Sequence, residues 1–140
     1  MNRANHREGE VPIRVRRGVL GILERGPTLL LIRRAPGIPS GGLWCFPGGH
    51  IETGETSRRA IRRELAEELG IQVTPIERVG AVRLATLGYV LAVWRIRYAG
   101  VRFTPLPAEV AEIDWFTPRQ VRSLEDGIAS NERVLELLGV

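Results

Sequence analysis

The chain has 140 residues, of which 44% are hydrophobic and 26% are charged. This length suits one domain with a sizeable core, and this composition excludes a mainly disordered chain. The longest apolar stretches fall far short of the roughly 18 residues that a membrane span requires, so no membrane partner is expected. All 20 basic residues are arginine, and the net charge of +4 favours an anionic partner, which by charge alone is a nucleotide, a nucleic acid or a membrane surface. The alternative is a basic surface that is only solvated.

The chain start and the cysteine content bear on domain organisation and location. Residues 1–12 are polar and lack the apolar segment of a secretory signal. We expect them to form a flexible tail, with residues 13–140 as a single domain. Cys45 is the sole cysteine and cannot form an internal disulfide. A cytoplasmic location is expected because a reducing compartment suits such a chain.

Hydrophobic patterning in the first third predicts strands. Residues 14–23 and 28–34 are rich in Val, Ile and Leu, and the turn residues 25–27 between them are typical of a hairpin. The Pro/Gly-rich residues 35–42 predict a loop, and residues 43–46 a short strand. Within that strand we interpret Cys45 as a small residue of the core or of a pocket wall, and not as a nucleophile.

A helix is predicted over residues 56–69, where Ile61, Leu65 and Leu69 recur every four residues. Gly70 follows directly and suits the residue after a helix end. This helix interrupts a series of strands, which indicates a mixed α and β chain and not an alternating βαβ chain.

The remaining residues predict more strands and two short helices. Residues 71–86 and 88–98 predict two or three strands, and residues 101–104 and 114–116 predict two short ones. Thr117 is predicted to cap a helix that begins at Pro118. Ser130 is predicted to cap a last helix whose buried face contains Val134, Leu137 and Leu138. The predicted fold class is therefore α+β.

Three glutamates of the central helix form a candidate metal site. Glu64, Glu67 and Glu68 lie at positions i, i+3 and i+4 and span an arc of roughly 100° on one helix face. Carboxylates this close repel one another unless they share a cation. Their hard oxygens suit Mg²⁺ or Mn²⁺. The alternative is a solvated acidic face, which is common for glutamates on helices.

The stretch from Gly49 to Ile71 reads GHIETGETSRRAIRRELAEELGI. It matches every specified position of the pattern G-x5-E-x7-R-E-U-x-E-E-x-G-U, in which U is apolar, and so resembles the signature of the Nudix hydrolase family. The preceding residues from Trp44 to Gly49 resemble the W-x-F-P-G-G segment of that family. The resemblance implies an α/β/α sandwich around a mixed β-sheet.

The resemblance also implies an activity and a set of site residues. The activity is Mg²⁺-dependent hydrolysis of the diphosphate linkage in a nucleoside diphosphate derivative, with a MutT-like nucleoside triphosphate pyrophosphohydrolase as the leading hypothesis. By motif position the metal ligands are Glu64, Glu67, Glu68 and the carbonyl of Gly48. Arg63 would orient Glu64 or its neighbours by a charge-assisted hydrogen bond. Glu55 would support the site without touching the metal.

Four residues outside the motif are further candidates. Glu109 and Glu112 precede Trp115 where similar chains place a loop carboxylate that binds metal or takes a proton from water. Glu109 is preferred, and solvent-facing loop acids are the alternative. Arg34 could bind phosphate, or it could be a surface arginine. Asn131 lies in a stretch, ASNERV, that resembles the base-reading segment of MutT-type members, or it could serve only the start of the last helix.

Several functions remain open at this stage. The enzyme alternatives are hydrolysis of ADP-ribose or of dinucleoside polyphosphates, and removal of pyrophosphate from RNA 5′ ends. A different class is a non-catalytic nucleotide-binding module. A homodimer is also left open. Specificity is expected to reside in loops around residues 38–42, 84–89 and 127–131. His50, Tyr89, Trp94 and Tyr98 are interpreted as ordinary loop or core residues.

Overall fold

The computed structural model describes residues 15–85, 88–100 and 102–140. The predicted tail over residues 1–12 lies outside these residues. The described residues form eight strands and three helices. In chain order they are β1 (Arg16–Ile22), β2 (Glu24–Arg25), β3 (Thr28–Arg34), β4 (Trp44–Cys45), β5 (Gly48–His50), α1 (Ser57–Leu69), β6 (Val73–Leu84), β7 (Tyr89–Tyr98), β8 (Val110–Phe116), α2 (Pro118–Ser123) and α3 (Asn131–Leu138).

The strands form two four-stranded sheets, which together with the helices give the predicted α+β class. The first sheet has the order β5-β1-β7-β6. It is mixed, because β1 runs parallel to β7 whereas β5 and β6 pair antiparallel with their neighbours. In the second sheet β3 pairs antiparallel with β2, β4 and β8.

The predicted hairpin before residue 34 is wrong in its first strand. The turn exists, but β3 pairs with the two residues of β2, and β1 belongs to the other sheet. The chain crosses between the sheets at Ile22 and Leu23, both fully buried. The carbonyl of Leu23 accepts a hydrogen bond from the amide of Leu30 at 3.1 Å. Strand β1 instead lies between β5 and β7 inside the first sheet, and most of its residues after Arg17 are buried.

Two hydrophobic clusters account for the layers of the fold. Helix α1 contributes Ile61, Leu65 and Leu69 to the first cluster, and α3 contributes Val134 and Leu135 to the second. Strand β3 supplies alternate residues to both clusters. This placement explains its nearly continuous apolar sequence, because a strand buried on both faces needs no polar alternation.

The helix boundaries follow local capping chemistry. The Thr56 side chain caps α1 by accepting from the Arg59 amide at 3.1 Å, and Gly70 ends α1 with a φ of 67°. Thr117 caps α2 in a complete capping box with Gln120. The Ser130 side chain precedes α3 but makes no capping hydrogen bond, because Ser130 itself has helical torsions and cannot reach back to the first turn.

The strand predicted over residues 101–104 is absent from the part of this range that the structure describes. Val101 lies outside the described residues, and residues 102–104 are not a strand. The amides of Thr104 and Leu106 instead donate to the carbonyls of Leu69 and Glu68, at 2.8 and 3.0 Å. These residues therefore satisfy the last carbonyls of α1 and not the edge of a sheet. Among the described residues no helix is long and apolar enough to cross a membrane.

Candidate active site

Glu68 is a buried carboxylate at the C-terminal half of α1. Its residue is 3% exposed, and its Oε1 accepts a hydrogen bond from the amide of Gly48 at 3.0 Å. Burial raises its pKa to about 8, and the charges of Glu64 and Glu109 add to the increase. The Gly48 hydrogen bond and the charge of Arg34 act in the opposite direction. Burial is thus the main reason that the charged form of Glu68 is disfavoured, and two neighbouring carboxylates add to it.

Glu64 lies one turn earlier and packs against the backbone of β5. Burial is the largest cause that raises its pKa, and the nearby charges of Glu67 and Glu109 raise it further. A Cβ atom placed on Gly49 would be 2.0 Å from Glu64 Oε2. This separation is far below van der Waals contact, so any larger residue at position 49 would displace the Glu64 carboxylate from its observed position.

Arg63 connects the acidic residues through four partners. Its Nε and Nη2 donate to both oxygens of Glu55 at 2.8 and 2.9 Å. Its Nη1 donates to Glu64 at 3.1 Å and to Glu67 at 3.2 Å. Its Nη2 also donates to the carbonyl of His50 at 2.9 Å. The hydrogen bonds from Arg63 lower the pKa of Glu55 to about 2. Arg63 therefore fixes the positions of the acids and has no free donor face for a substrate.

The carboxylates of Glu64, Glu67 and Glu68 fit a divalent cation in chemistry, although their oxygens do not converge on one position. Glu67 is the most open member, with 57% of its side chain exposed. Within the described residues no three His, Cys, Asp or Glu side chains are grouped tightly enough to hold an ion as they stand. The set nevertheless consists of carboxylate oxygens, which are the ligands that hard divalent cations prefer.

The two loop acids lie in different surroundings. The backbone of Glu109 is anchored, since its carbonyl accepts from Ala35 at 2.9 Å and its amide donates to Leu106 at 3.0 Å. Its charge is close enough to raise the pKa of both Glu64 and Glu68. Glu112 instead forms an ion pair with Arg33 at 3.6 Å. The electrostatic effects on Glu64 and Glu68 therefore include Glu109 and do not include Glu112.

Arg34 and Arg33 follow each other at the end of β3 and point to different partners. The Nε of Arg34 donates to the carbonyl of Pro39 at 2.7 Å, and its charge lowers the pKa of Glu68. Arg33 donates to Asp126 at 2.6 Å.

Burial raises the pKa of the Cys45 thiol to about 11, against the charge of Arg34. Cys45 is thus a neutral, buried thiol, as the sequence predicted.

Asn131 is buried at the first residue of α3. It is 5% exposed, and its Nδ2 donates to the carbonyl of Trp44 at 3.0 Å. The neighbouring amide of Ile128 donates to the same carbonyl at 2.9 Å. Asn131 thus connects α3 to β4, and one of its two amide donors is committed to this connection.

A contact between Tyr89 and His50 was not predicted. The Tyr89 hydroxyl is hydrogen-bonded to His50 Nδ1, and burial together with the charge of Glu64 raises the pKa of Tyr89. The guanidinium of Arg16 lies 5.2 Å from the centroid of the Tyr89 ring. These residues meet because β5 and β7 flank β1. Sequence offered no indication of this, since strand order is not encoded in local patterning.

The class of protein follows from comparison with known families. The family model described as NUDIX domain matches residues 12–138. The chain therefore belongs to the Nudix family, as its motif predicted. The fold agrees: the E. coli ORF135 protein, known from a solution structure, aligns with a TM-score of 0.72 and 30% identity, covering 89% of this chain and 88% of that one.

Two curated relatives are similar over shorter stretches. The MutT-like protein of Streptomyces ambofaciens is 38% identical over 105 residues, covering 74% of this chain and 64% of that protein. The CTP pyrophosphohydrolase of Escherichia coli K12 is 40% identical over 73 residues, covering 52% and 54%. The chain thus spans between about half and two thirds of the length of these relatives.

Proposed function

We propose that this chain is a divalent-metal-dependent pyrophosphohydrolase that converts a nucleoside triphosphate to the monophosphate and pyrophosphate. The observation that carries the proposal is the buried carboxylate of Glu68. Its pKa is raised to about 8 by burial and by two further carboxylates, Glu64 and Glu109. Such a concentration of acid costs free energy in the absence of a cation, so its presence favours a function that uses one.

The choice of a nucleoside triphosphate rests on similarity. Relatives of this chain are named MutT-like protein and CTP pyrophosphohydrolase. The alternatives are ADP-ribose, dinucleoside polyphosphates, RNA 5′ ends and a non-catalytic nucleotide-binding module. A cytoplasmic location and a single domain over residues 13–140 remain predictions.

Mg²⁺ would be held by Glu64, Glu67 and Glu68, with the carbonyl of Gly48 and the loop acid Glu109 as further ligands. When bound, the ion neutralises charge on the phosphate oxygens and lowers the pKa of the attacking water. Mn²⁺ has similar ligand preferences and could substitute.

The other side chains of the site would bind and position. Arg34 would hold a phosphate oxygen through its terminal nitrogens, because its Nε is already engaged by Pro39. Arg63 would keep Glu64 and Glu67 in place through the hydrogen bonds it donates to them. If Glu109 is not a metal ligand, its carboxylate would accept the proton of the attacking water.

One panel assay tests the proposal. Nucleoside triphosphates, ADP-ribose, dinucleoside polyphosphates and 5′-triphosphate RNA are each incubated with Mg²⁺, with Mn²⁺ and with excess chelator. We expect the highest kcat/KM for a nucleoside triphosphate, with pyrophosphate as product and no activity in chelator. Full activity in chelator would contradict the metal role. A higher kcat/KM for another compound of the panel would identify that compound as the preferred substrate. Metal-dependent binding without any hydrolysis would indicate a non-catalytic nucleotide-binding module.

The loop acids can be separated by matched variants. Glu109→Gln is expected to reduce kcat by about 10-fold to 100-fold, because it removes a charge that acts at the α1 acids. Glu112→Gln is expected to change kcat less than about twofold, because its partner is Arg33. Steady-state kinetics on the two proteins checks this, and each serves as the control for the other. The reverse order would move the catalytic role to Glu112.

Asn131 has two proposed roles that give different results. If it reads the base, Asn131→Ala should weaken discrimination between guanine-type and other nucleotides by about 1–3 kcal/mol. If it only connects α3 to Trp44, the variant should lose about 1–3 kcal/mol of unfolding free energy, with the substrate ranking unchanged. We expect the stability loss from the observed contact and test base reading by kcat/KM across the panel. An equal fall for every nucleotide would end the base-reading hypothesis.

A further inference from the structure

A basic groove lies on a different side of α1 from the buried acids. It occupies about 860 Å³ between α1, the start of β6 and the end of β7. Its lining includes Arg59, Arg62, Thr74 and Arg97. This volume falls in the range of about 300–1,000 Å³ that ligand pockets occupy. The carboxylates of Glu64, Glu67, Glu68 and Glu109 do not line the groove, although Glu55 and Arg63, which hold the site acids in position, do.

The sequence and the sheet register together place the three arginines. Arg59 and Arg62 are three residues apart on α1 and therefore share one helix face. Arg97 is directly opposite Thr74 in the antiparallel β6–β7 pair, so their side chains point to the same face of the sheet. Helix and sheet thus present guanidinium groups to one space from two sides.

These three arginines differ from their neighbours because their guanidinium groups make no hydrogen bond or ion pair with the described residues, although the charge of Arg59 helps to lower the pKa of Glu55. Arg58 donates to the carbonyl of Pro75 at 3.3 Å, and Arg63 is bound by Glu55. By contrast, across residues 15–85, 88–100 and 102–140 no ion pair or hydrogen bond of the guanidinium groups of Arg59, Arg62 or Arg97 is found, and all three residues are exposed.

The charge of the groove is only partly neutralised by its own lining. Glu55 is its one acidic lining residue, and both carboxylate oxygens of Glu55 accept from Arg63. Like charges gathered in one concavity raise the local potential and attract anions. Guanidinium groups bind phosphate oxygens in a two-pronged geometry. The exposed side chains of Thr74 and Gln72 add neutral hydrogen-bonding groups to the same lining.

We propose that this groove is a second anion site, which binds an anion carrying several linked phosphate groups through Arg59, Arg62 and Arg97. Such phosphates occur in inorganic polyphosphate and in the backbone of a single-stranded nucleic acid. Both present successive oxygen anions that three guanidinium groups on two facing elements can contact together. The site does not depend on the metal or on the proposed hydrolysis.

The test uses the full chain in chelator, so that metal-dependent binding at the acids of α1 does not contribute. The probes are inorganic tripolyphosphate and a six-nucleotide oligothymidylate without a terminal phosphate. Calorimetry gives Kd, and backbone amide NMR locates the site. We expect amide shifts at Gln72, Thr74 and Ala99. The triple variant Arg59→Gln/Arg62→Gln/Arg97→Gln should raise Kd at least about tenfold.

A charge-matched control separates a site from general attraction. Arg78→Gln/Arg83→Gln/Arg119→Gln removes the same three charges from exposed positions that do not line the groove. It should change Kd less than about twofold at about 0.15 M salt, where distant charges are screened. If the triple groove variant does not fold, Arg97→Gln alone should raise Kd about threefold or more.

The binding results identify which phosphate compound the groove takes, and some of them would refute the proposed site. Binding of tripolyphosphate alone would indicate a free polyphosphate, binding of the oligonucleotide alone a nucleic acid backbone, and binding of both the shared phosphate chemistry. Three results would overturn the site: no binding of either probe, amide shifts confined to the surroundings of Glu64 and Glu68, or equal weakening in the groove variant and its control. Hydrolysis of nucleoside triphosphates should persist in the groove variant, so failure of the proposed enzyme activity would be seen separately.

Discussion

Replacing Glu68 with glutamine is expected to lower the rate of nucleoside triphosphate hydrolysis at least about a hundredfold, equivalent to roughly 2.7 kcal/mol of transition-state stabilisation. Glutamine retains the size of the side chain and can still accept the Gly48 hydrogen bond, but it removes the negative charge that a cation requires. The same loss is expected for Glu67→Gln. Glu136→Gln, on the exposed side of α3, is the matched control. An unchanged rate in Glu68→Gln would place the essential carboxylate elsewhere.

Stability measurements on the metal-free protein give a second readout for Glu68. Its folded-state pKa of about 8 lies above the ordinary value of 4.5. The folded protein therefore holds this proton more tightly than the unfolded chain, and unfolding free energy is lost as the pH rises from about 4.5 through about 8. Glu68→Gln cannot ionise, so in chelator it should be more stable than the original protein at about pH 8.5. Denaturant unfolding at about pH 5 and pH 8.5 checks this, and equal pH dependence in the two proteins would contradict it.

Replacing Arg63 with lysine is expected to reduce kcat by about 10-fold to 100-fold, although the carboxylates proposed to bind the metal all remain. Lysine keeps the charge but cannot make the two parallel hydrogen bonds to Glu55 while also donating to Glu64 and Glu67. The partly buried Glu55 carboxylate would lose a partner, which should lower the unfolding free energy by about 1–3 kcal/mol. Steady-state kinetics and denaturant unfolding on the same protein measure both effects.

A positioning role for Arg63 makes a further prediction. If Arg63 acts through Glu64 and Glu67, Arg63→Lys should raise the Mg²⁺ concentration needed for half-maximal activity and leave the KM for the nucleotide within about twofold. Arg62→Lys is the matched control, since Arg62 is adjacent on α1 and lines the groove without contacting these acids. A large rise in nucleotide KM with unchanged Mg²⁺ dependence would instead mean that Arg63 contacts the substrate.

Local sequence patterns determined much of α1 and its surroundings. The four-residue recurrence of Ile61, Leu65 and Leu69 and the glycine that follows were sufficient to define the helix, because periodicity and capping act over a few residues. The same local spacing placed Glu64, Glu67 and Glu68 on one helix face. The motif that contains them was sufficient to predict the Nudix family, which the match over residues 12–138 shows.

Only the tertiary structure decided which residues of distant segments meet. It placed β1 between β5 and β7 instead of beside β3, because this interior position buries the apolar second half of β1, which outweighs the short turn that suggested a hairpin. It added different surroundings for the two loop acids, since Glu112 pairs with Arg33 whereas the charge of Glu109 acts on Glu68. It also brought Arg97 to the groove beside Arg59. Such pairings depend on strand order and packing across the whole core, and no local pattern carries that information.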